Sequence, residues 1–164
     1  MKQTIPEMPE GLSPKLLTEL LHQNGVLPPE GRVASLIRKP VGEGTGMMAE
    51  LSLLTVDYEG PSGAAPKSFI AKYASRNPTN RDIARDYRLY ERESRFASEL
   101  APVIDVRTPE VFFSGLDGDR FLILMEDLTD YQVGSQVRGA DLHQSELAID
   151  ELAKLHSLSV RVRG

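Results

Sequence analysis

Leu16, Leu17, Leu20 and Leu21 repeat at the spacing of one helical face, so the first regular element is predicted to be a helix. Ser13 is a natural N-cap, Pro14 fits the first helical position, and Gly25 stands where a left-handed stop is wanted. Residues 1–12, rich in Pro, Glu and Gly, predict a loose lead-in, and Pro28-Pro29 with Gly31 mark the turn out of the helix. From Arg32 the texture becomes extended. Val33 to Val41 and Met47 to Tyr58 read as strands, and Glu59 to Pro66 as a loop. Ser68 to Tyr73 reads as a third strand, with Phe69, Ala71 and Tyr73 on one face and Ile70 and Lys72 on the other. One long helix is predicted from Arg81 to Leu100, opened by Thr79-Asn80-Arg81-Asp82 and ended by Pro102. Its Glu91–Arg95 and Arg95–Glu99 pairs have favourable spacing. Val111-Phe112-Phe113 and Phe121 to Met125 form two further strands about the turn Gly115-Leu116-Asp117-Gly118. A last helix runs from Asp141 or Ser145 to Leu158, with Leu152 and Leu155 among its buried positions. The order predicts an α+β fold: about five strands, mostly antiparallel, with the long helix packed on them and helices flanking at each end.

Composition narrows the function. The 164 residues are 40% hydrophobic, enough for one domain or one large lobe. Asp and Glu number 24 against 19 Lys and Arg, a formal net charge of -5. That balance argues against nucleic acid as a partner, which needs a basic face, but leaves room for one nucleotide held locally. With no cysteine, disulfides and thiolate metal sites are excluded. No apolar run approaches the roughly 20 residues that span a bilayer, and the start lacks a signal-peptide pattern, so no membrane partner and a cytoplasmic location are expected.

Four pieces carry candidate chemistry. Gly42-Glu43-Gly44-Thr45-Gly46 lies between two predicted strands, where glycines let backbone N–H groups approach phosphates. An ordinary glycine-rich hairpin is the alternative. Lys72 sits mid-strand, an uncomfortable place for an ammonium unless it points at phosphates; otherwise it is a solvated edge lysine. Glu93 shares a helical stripe with Leu89, Phe96 and Leu100. A carboxylate in an apolar seam is costly unless it meets a cation, and Lys72 is the evident one, with Arg92 or solvent the alternative. Leu122-Ile123-Leu124-Met125 turns polar at once into Glu126-Asp127-Leu128, a strand end against which an adenine could lie or a strand that simply ends.

In this order the pieces resemble the N-terminal lobe of the aminoglycoside phosphotransferase and ecdysteroid-kinase-like superfamily, small-molecule kinases with a protein-kinase-like fold. The resemblance rests on Val41 to Gly46, Phe69 to Tyr73, Tyr90 to Phe96 and Leu124 to Leu128, with Glu151 to His156 matching the helix that opens the second lobe. It implies a nucleotide-binding lobe at 32–130, preceded by a lead-in and helix at 1–31 and followed by a linker and first helix of a second lobe at 131–164. It implies ATP as the cofactor. Gly42, Gly44 and Gly46, with Thr45 among them, would cover the phosphates, Lys72 would hold the α- and β-phosphates, and Glu93 would orient Lys72. Met125 would back the adenine pocket, while the Glu126 carbonyl and Leu128 N–H would take the adenine edge. The partner implied is a small-molecule hydroxyl that accepts the γ-phosphate.

The sequence departs from that pattern where phosphate is moved. Its histidines are His22, His143 and His156, and none opens a His-x-Asp. Asp117-Gly118 precedes the hinge and cannot serve as the later metal aspartate. Magnesium is therefore expected only with a second lobe, no catalytic residue is assigned, and the chain is expected to stop short of the catalytic loop and transfer no phosphate alone. Self-association through an exposed last helix follows from the same expectation. Two other readings stay open: a non-catalytic nucleotide-binding or protein-interaction remnant, and a small α+β interaction domain whose glycines are only turns.

Overall fold

A computed structural model of the chain describes residues 5–42, 48–131, 134 and 137–161. Five strands form one sheet: β1 (Arg32–Val41), β2 (Ala49–Glu59), β3 (Ser68–Ala74), β4 (Val111–Asp117) and β5 (Arg120–Met125). Their order is β1-β2-β3-β5-β4, and every neighbouring pair is antiparallel. This is the α+β fold with a five-stranded antiparallel sheet that the sequence predicts, and it agrees with the N-terminal lobe that the resemblance implies.

Helix α1 (Pro14–Gln23) covers one face. Ser13 caps it by accepting from the Leu16 N–H, and Gly25, at φ +67°, closes it. Leu17, Leu20 and Leu21 pack on Leu54, Phe69, Ala71 and Tyr73 of the central strands. Each fully buried leucine contributes roughly 1.5–3 kcal/mol. β5 is buried on both faces: Leu122 and Leu124 join the α1 side, while Phe121 and Ile123 join the other. That explains its unbroken apolar run. Gly31 brings the turn after α1 against the β2–β3 loop. A Cβ there would stand 2.1 Å from the Pro61 carbonyl oxygen, so no side chain fits.

The lead-in is better fixed than its composition predicts. Ile5 and Leu12 are buried in the α1-side core, on either side of a 3-10 turn at Pro9–Gly11. Arg81 donates to the Glu7 carbonyl and Arg38 to the Leu12 carbonyl, which holds the segment against the sheet.

The single long helix is in fact three pieces. α2 (Pro78–Asp86) starts earlier than expected, capped by Asn77, whose side chain accepts from the Thr79 N–H. The backbone then breaks at Arg88, a non-glycine residue in the left-handed region at φ 54°. α3 (Leu89–Arg95) resumes and widens into a π-helical turn at Phe96–Leu100. The break resets which side faces the sheet. Ala84, Tyr90 and Ala97 are buried, whereas Phe96 and Leu100 are exposed, contrary to the expected apolar seam. Ala97 and Ser94 are small, and Ser94 approaches β4 closely enough for its hydroxyl to meet that of Ser114 at 2.8 Å.

The last helix, α4 (Leu142–Arg161), opens with a capping box: Asp141 accepts from the Gln144 N–H, and Gln144 accepts from the Asp141 N–H. Leu152 and Leu155, expected to be buried, are exposed, as are Leu142, Leu147 and Ile149. No described helix is long and apolar enough to cross a membrane.

Candidate functional site

Lys72 stands opposite Leu51 of β2 and Ile123 of β5, so its side chain leaves the sheet on the α3 side. Alternation fixes this: Phe69, Ala71 and Tyr73 are fully buried on the α1 side, which leaves Ile70 and Lys72 half-buried on the other. The Lys72 ammonium donates to Glu93 Oε1. The pair is neither core nor free surface, with 24% of the lysine side chain and 37% of the glutamate exposed. At that exposure the pair adds little to stability, and its effect is to aim both groups.

Tyr90 sets the position of α3. Its ring stacks on Phe121 with centroids 4.7 Å apart, and its hydroxyl accepts from the Ser75 N–H at 3.0 Å and donates to the Met48 carbonyl at 2.7 Å. Burial raises the phenol pKa above its ordinary value, so the hydroxyl stays a donor at neutral pH. One side chain thus ties α3 to the end of β3 and to the residue that enters β2. Tyr90→Phe takes the partner from the buried Ser75 N–H and the half-buried Met48 carbonyl and is expected to cost about 1–3 kcal/mol, read as a lower urea midpoint at unchanged slope. The sequence names Tyr90 only within the Tyr90 to Phe96 phrase and assigns it no role, although Tyr90, Glu93, Ser94 and Ala97 share one helical face.

A cavity of about 1110 Å³ opens on this pair, lined among others by Val41, Gly42, Leu51, Lys72, Glu93 and Phe96. Leu89 and Phe96, placed in the apolar seam by sequence, flank Glu93 and face this cavity. Gly42, at φ +69°, turns the chain out of β1 at its rim. Gly44, Thr45 and Gly46 lie outside the described residues. Beyond the lysine, the same sheet face carries Leu51, Leu53, Ile70 and Met125, all half-buried with apolar surface still open.

The hinge residues are not gathered into that cavity. Met125 pairs with Ile70 and Val111 at the end of β5. The Glu126 N–H donates to the Glu110 carbonyl at 2.8 Å, and its carboxylate is taken by Arg107 and the Glu110 N–H. The Arg107 guanidinium and that N–H hold the Glu126 carboxyl below the usual carboxylate range. Glu126 lines a separate cavity of about 440 Å³ with Arg107 and Val111. The Leu128 carbonyl accepts from the Tyr131 N–H in the turn that follows. The structure therefore joins Gly42, Lys72 and Glu93 at one cavity, while Met125 shares the Lys72 face of the sheet and Glu126 lines the other cavity.

Among the described residues no group of three or more His, Asp or Glu side chains is placed to hold a metal ion. The ecdysteroid kinase-like family model matches residues 43–163. The chain belongs to the ecdysteroid kinase-like family. No curated protein and no solved structure matches it. The ecdysteroid-kinase-like half of the resemblance is the one this match supports, and the aminoglycoside phosphotransferase half is without support from it. In this ecdysteroid kinase-like chain, β2, β3, α3 and β5 lie inside the match, with Lys72 and Glu93, whereas α1 and β1 precede it.

Proposed function

We propose that this ecdysteroid kinase-like chain holds ATP against the Lys72 face of its sheet, as the nucleotide-binding part of a phosphotransferase acting on a small-molecule hydroxyl. The observation that carries the reading is the Lys72–Glu93 pair, an ammonium fixed mid-strand by a helix carboxylate and turned into a large cavity beside Gly42. A strand lysine presented this way offers a point charge to phosphates, while Leu51, Ile70 and Met125 offer apolar surface to a base. The chemistry of the donor set fits an anionic nucleotide. Among the described residues no three His, Asp or Glu side chains are grouped to hold a metal ion, so no metal step is assigned here. The groups that move phosphate in the resemblance have no counterpart in the sequence, and the role assigned to these 164 residues is binding.

Titration calorimetry with ATP in the absence of magnesium tests this. The expected result is a single site with Kd between about 10 μM and 1 mM, and weaker binding of AMP, because the cation acts on the phosphates. No heat up to about 5 mM ATP, or equal affinity for AMP and ATP, would overturn it.

A further inference from the structure

The charges lining the large cavity pair off unevenly. Among the described residues its cations are Arg38, Lys72, Arg76 and Arg92. Its carboxylates are Glu10, Glu50 and Glu93. Arg76 takes Glu10 and Glu50, and Arg38 acts on Glu10 as well, so these four make a neutral group. Lys72 takes Glu93. Every carboxylate of the lining is then accounted for, and the surplus positive charge is that of Arg92.

The outer side of α3 gives Arg92 no carboxylate of its own either. There it lines a second cavity, of about 610 Å³, with Arg88, Glu91, Arg95 and Glu99. Glu91 accepts from Arg88 Nε at 2.7 Å and Nη2 at 2.5 Å, and Glu99 accepts from Arg95 Nη2 at 2.9 Å. Arg88 holds the Glu91 carboxyl below its usual range, with Arg95 and Arg92 adding less. Arg92 makes no ion pair or side-chain hydrogen bond among the described residues. Water satisfies an exposed guanidinium, so it is the position of Arg92 that matters. It directly precedes Glu93, whose carboxylate fixes Lys72. Ile70 and Met125, the apolar surface offered to a base, stand one rung further along the sheet and outside the cavity lining. The order along the site is therefore base surface, Lys72, then the cavity that Arg92 lines.

We infer that Arg92 takes the terminal phosphate of a nucleoside triphosphate and makes the site prefer ATP to ADP, an inference that rests on the nucleotide reading above. The two cations divide the work by their chemistry. Lys72 is a point charge for the phosphates nearer the base, whereas a planar guanidinium grips two oxygens of a terminal phosphate at once.

Titration calorimetry with ATP and with ADP, without magnesium and at fixed ionic strength, tests this on four proteins. Wild type is expected to bind ATP about 10-fold more tightly than ADP. Arg92→Gln should lose about 10-fold for ATP and less than about 2-fold for ADP, which brings the two nucleotides together. Arg92→Lys keeps the charge without the fork and should retain part of the preference. Lys72→Met should weaken both nucleotides and keep their ratio. Arg92 is exposed, so both of its variants are expected to fold as wild type does, which circular dichroism checks. Equal affinity of wild type for ATP and ADP, or an unchanged ratio in Arg92→Gln, overturns this inference and leaves the nucleotide reading standing. An equal loss for both nucleotides in Arg92→Gln also overturns it, because Arg92 would then act by positioning Glu93 and Lys72. No ATP binding by wild type ends both.

Discussion

Lys72→Met is expected to weaken ATP binding by about 10–150-fold, the equivalent of one charge-assisted contact of about 1.5–3 kcal/mol. Fold stability should change by less than about 1 kcal/mol. The two halves of this expectation have different origins. Methionine keeps the length of the lysine stem and meets Leu51 and Ile123 on that face, so packing is preserved. Losing a half-exposed ion pair costs the fold little. Binding suffers twice, because the phosphates lose their cation and Glu93 is left as an unpaired negative charge at the cavity. That second effect has its own signature. Adding Glu93→Gln to Lys72→Met should recover part of the affinity, whereas Glu93→Gln alone should lower it by releasing Lys72 from its aimed position. Such a sign reversal is a coupling that a double-mutant cycle measures directly. If Lys72→Met binds ATP as wild type does, the ion pair is a structural contact and the nucleotide reading falls.

Lys72 and Glu93 were legible as partners because each is costly where the sequence puts it. A mid-strand ammonium and a carboxylate expected in an apolar seam both need a counter-charge, and the fold supplies each with the other, although Phe96 and Leu100 of that seam are exposed. The strands and α1 were legible for a simpler reason: period-2 alternation in Phe69 to Tyr73 and the leucine stripe in α1 state which side is buried. The helix break was not. Tyr87-Arg88 contains neither Gly nor Pro, and an arginine in the left-handed region gives no local signal. The π-turn at Phe96–Leu100 hides in the same way, since widening a helix by one residue shifts its face without changing its composition. Residues 5–12 lack any period, yet Ile5 and Leu12 act as two plugs and the arginines that hold the segment lie far along the chain. The contacts around the hinge were unreadable for a similar reason. What holds Glu126 is Arg107 and Glu110, a contact set by tertiary packing and unreadable from the strand that precedes it.

Phe69→Ala is expected to cost about 3–5 kcal/mol, the range for emptying a large aromatic site in a packed core. Phe69 is completely buried on β3, where it meets the α1 leucines and presents an edge to the Phe112 ring at 5.2 Å and 88°. Domains of this size hold only about 5–15 kcal/mol in total, so the variant should sit near its unfolding threshold at room temperature. Urea denaturation checks this through a large fall in midpoint at unchanged slope, and Phe69→Leu, which refills most of the volume, should recover a good part of the loss. The consequence reaches the candidate site. Phe69 and Lys72 share β3 and point to opposite faces, so packing from α1 below fixes the strand that presents the ammonium above. In whatever fraction of Phe69→Ala stays folded, ATP affinity should therefore fall while that of Phe69→Leu stays close to wild type. A loss of stability under about 1.5 kcal/mol would mean that α1 closes onto the vacated space, and β3 would then owe its position to strand pairing with β2 and β5 rather than to the helix beneath it.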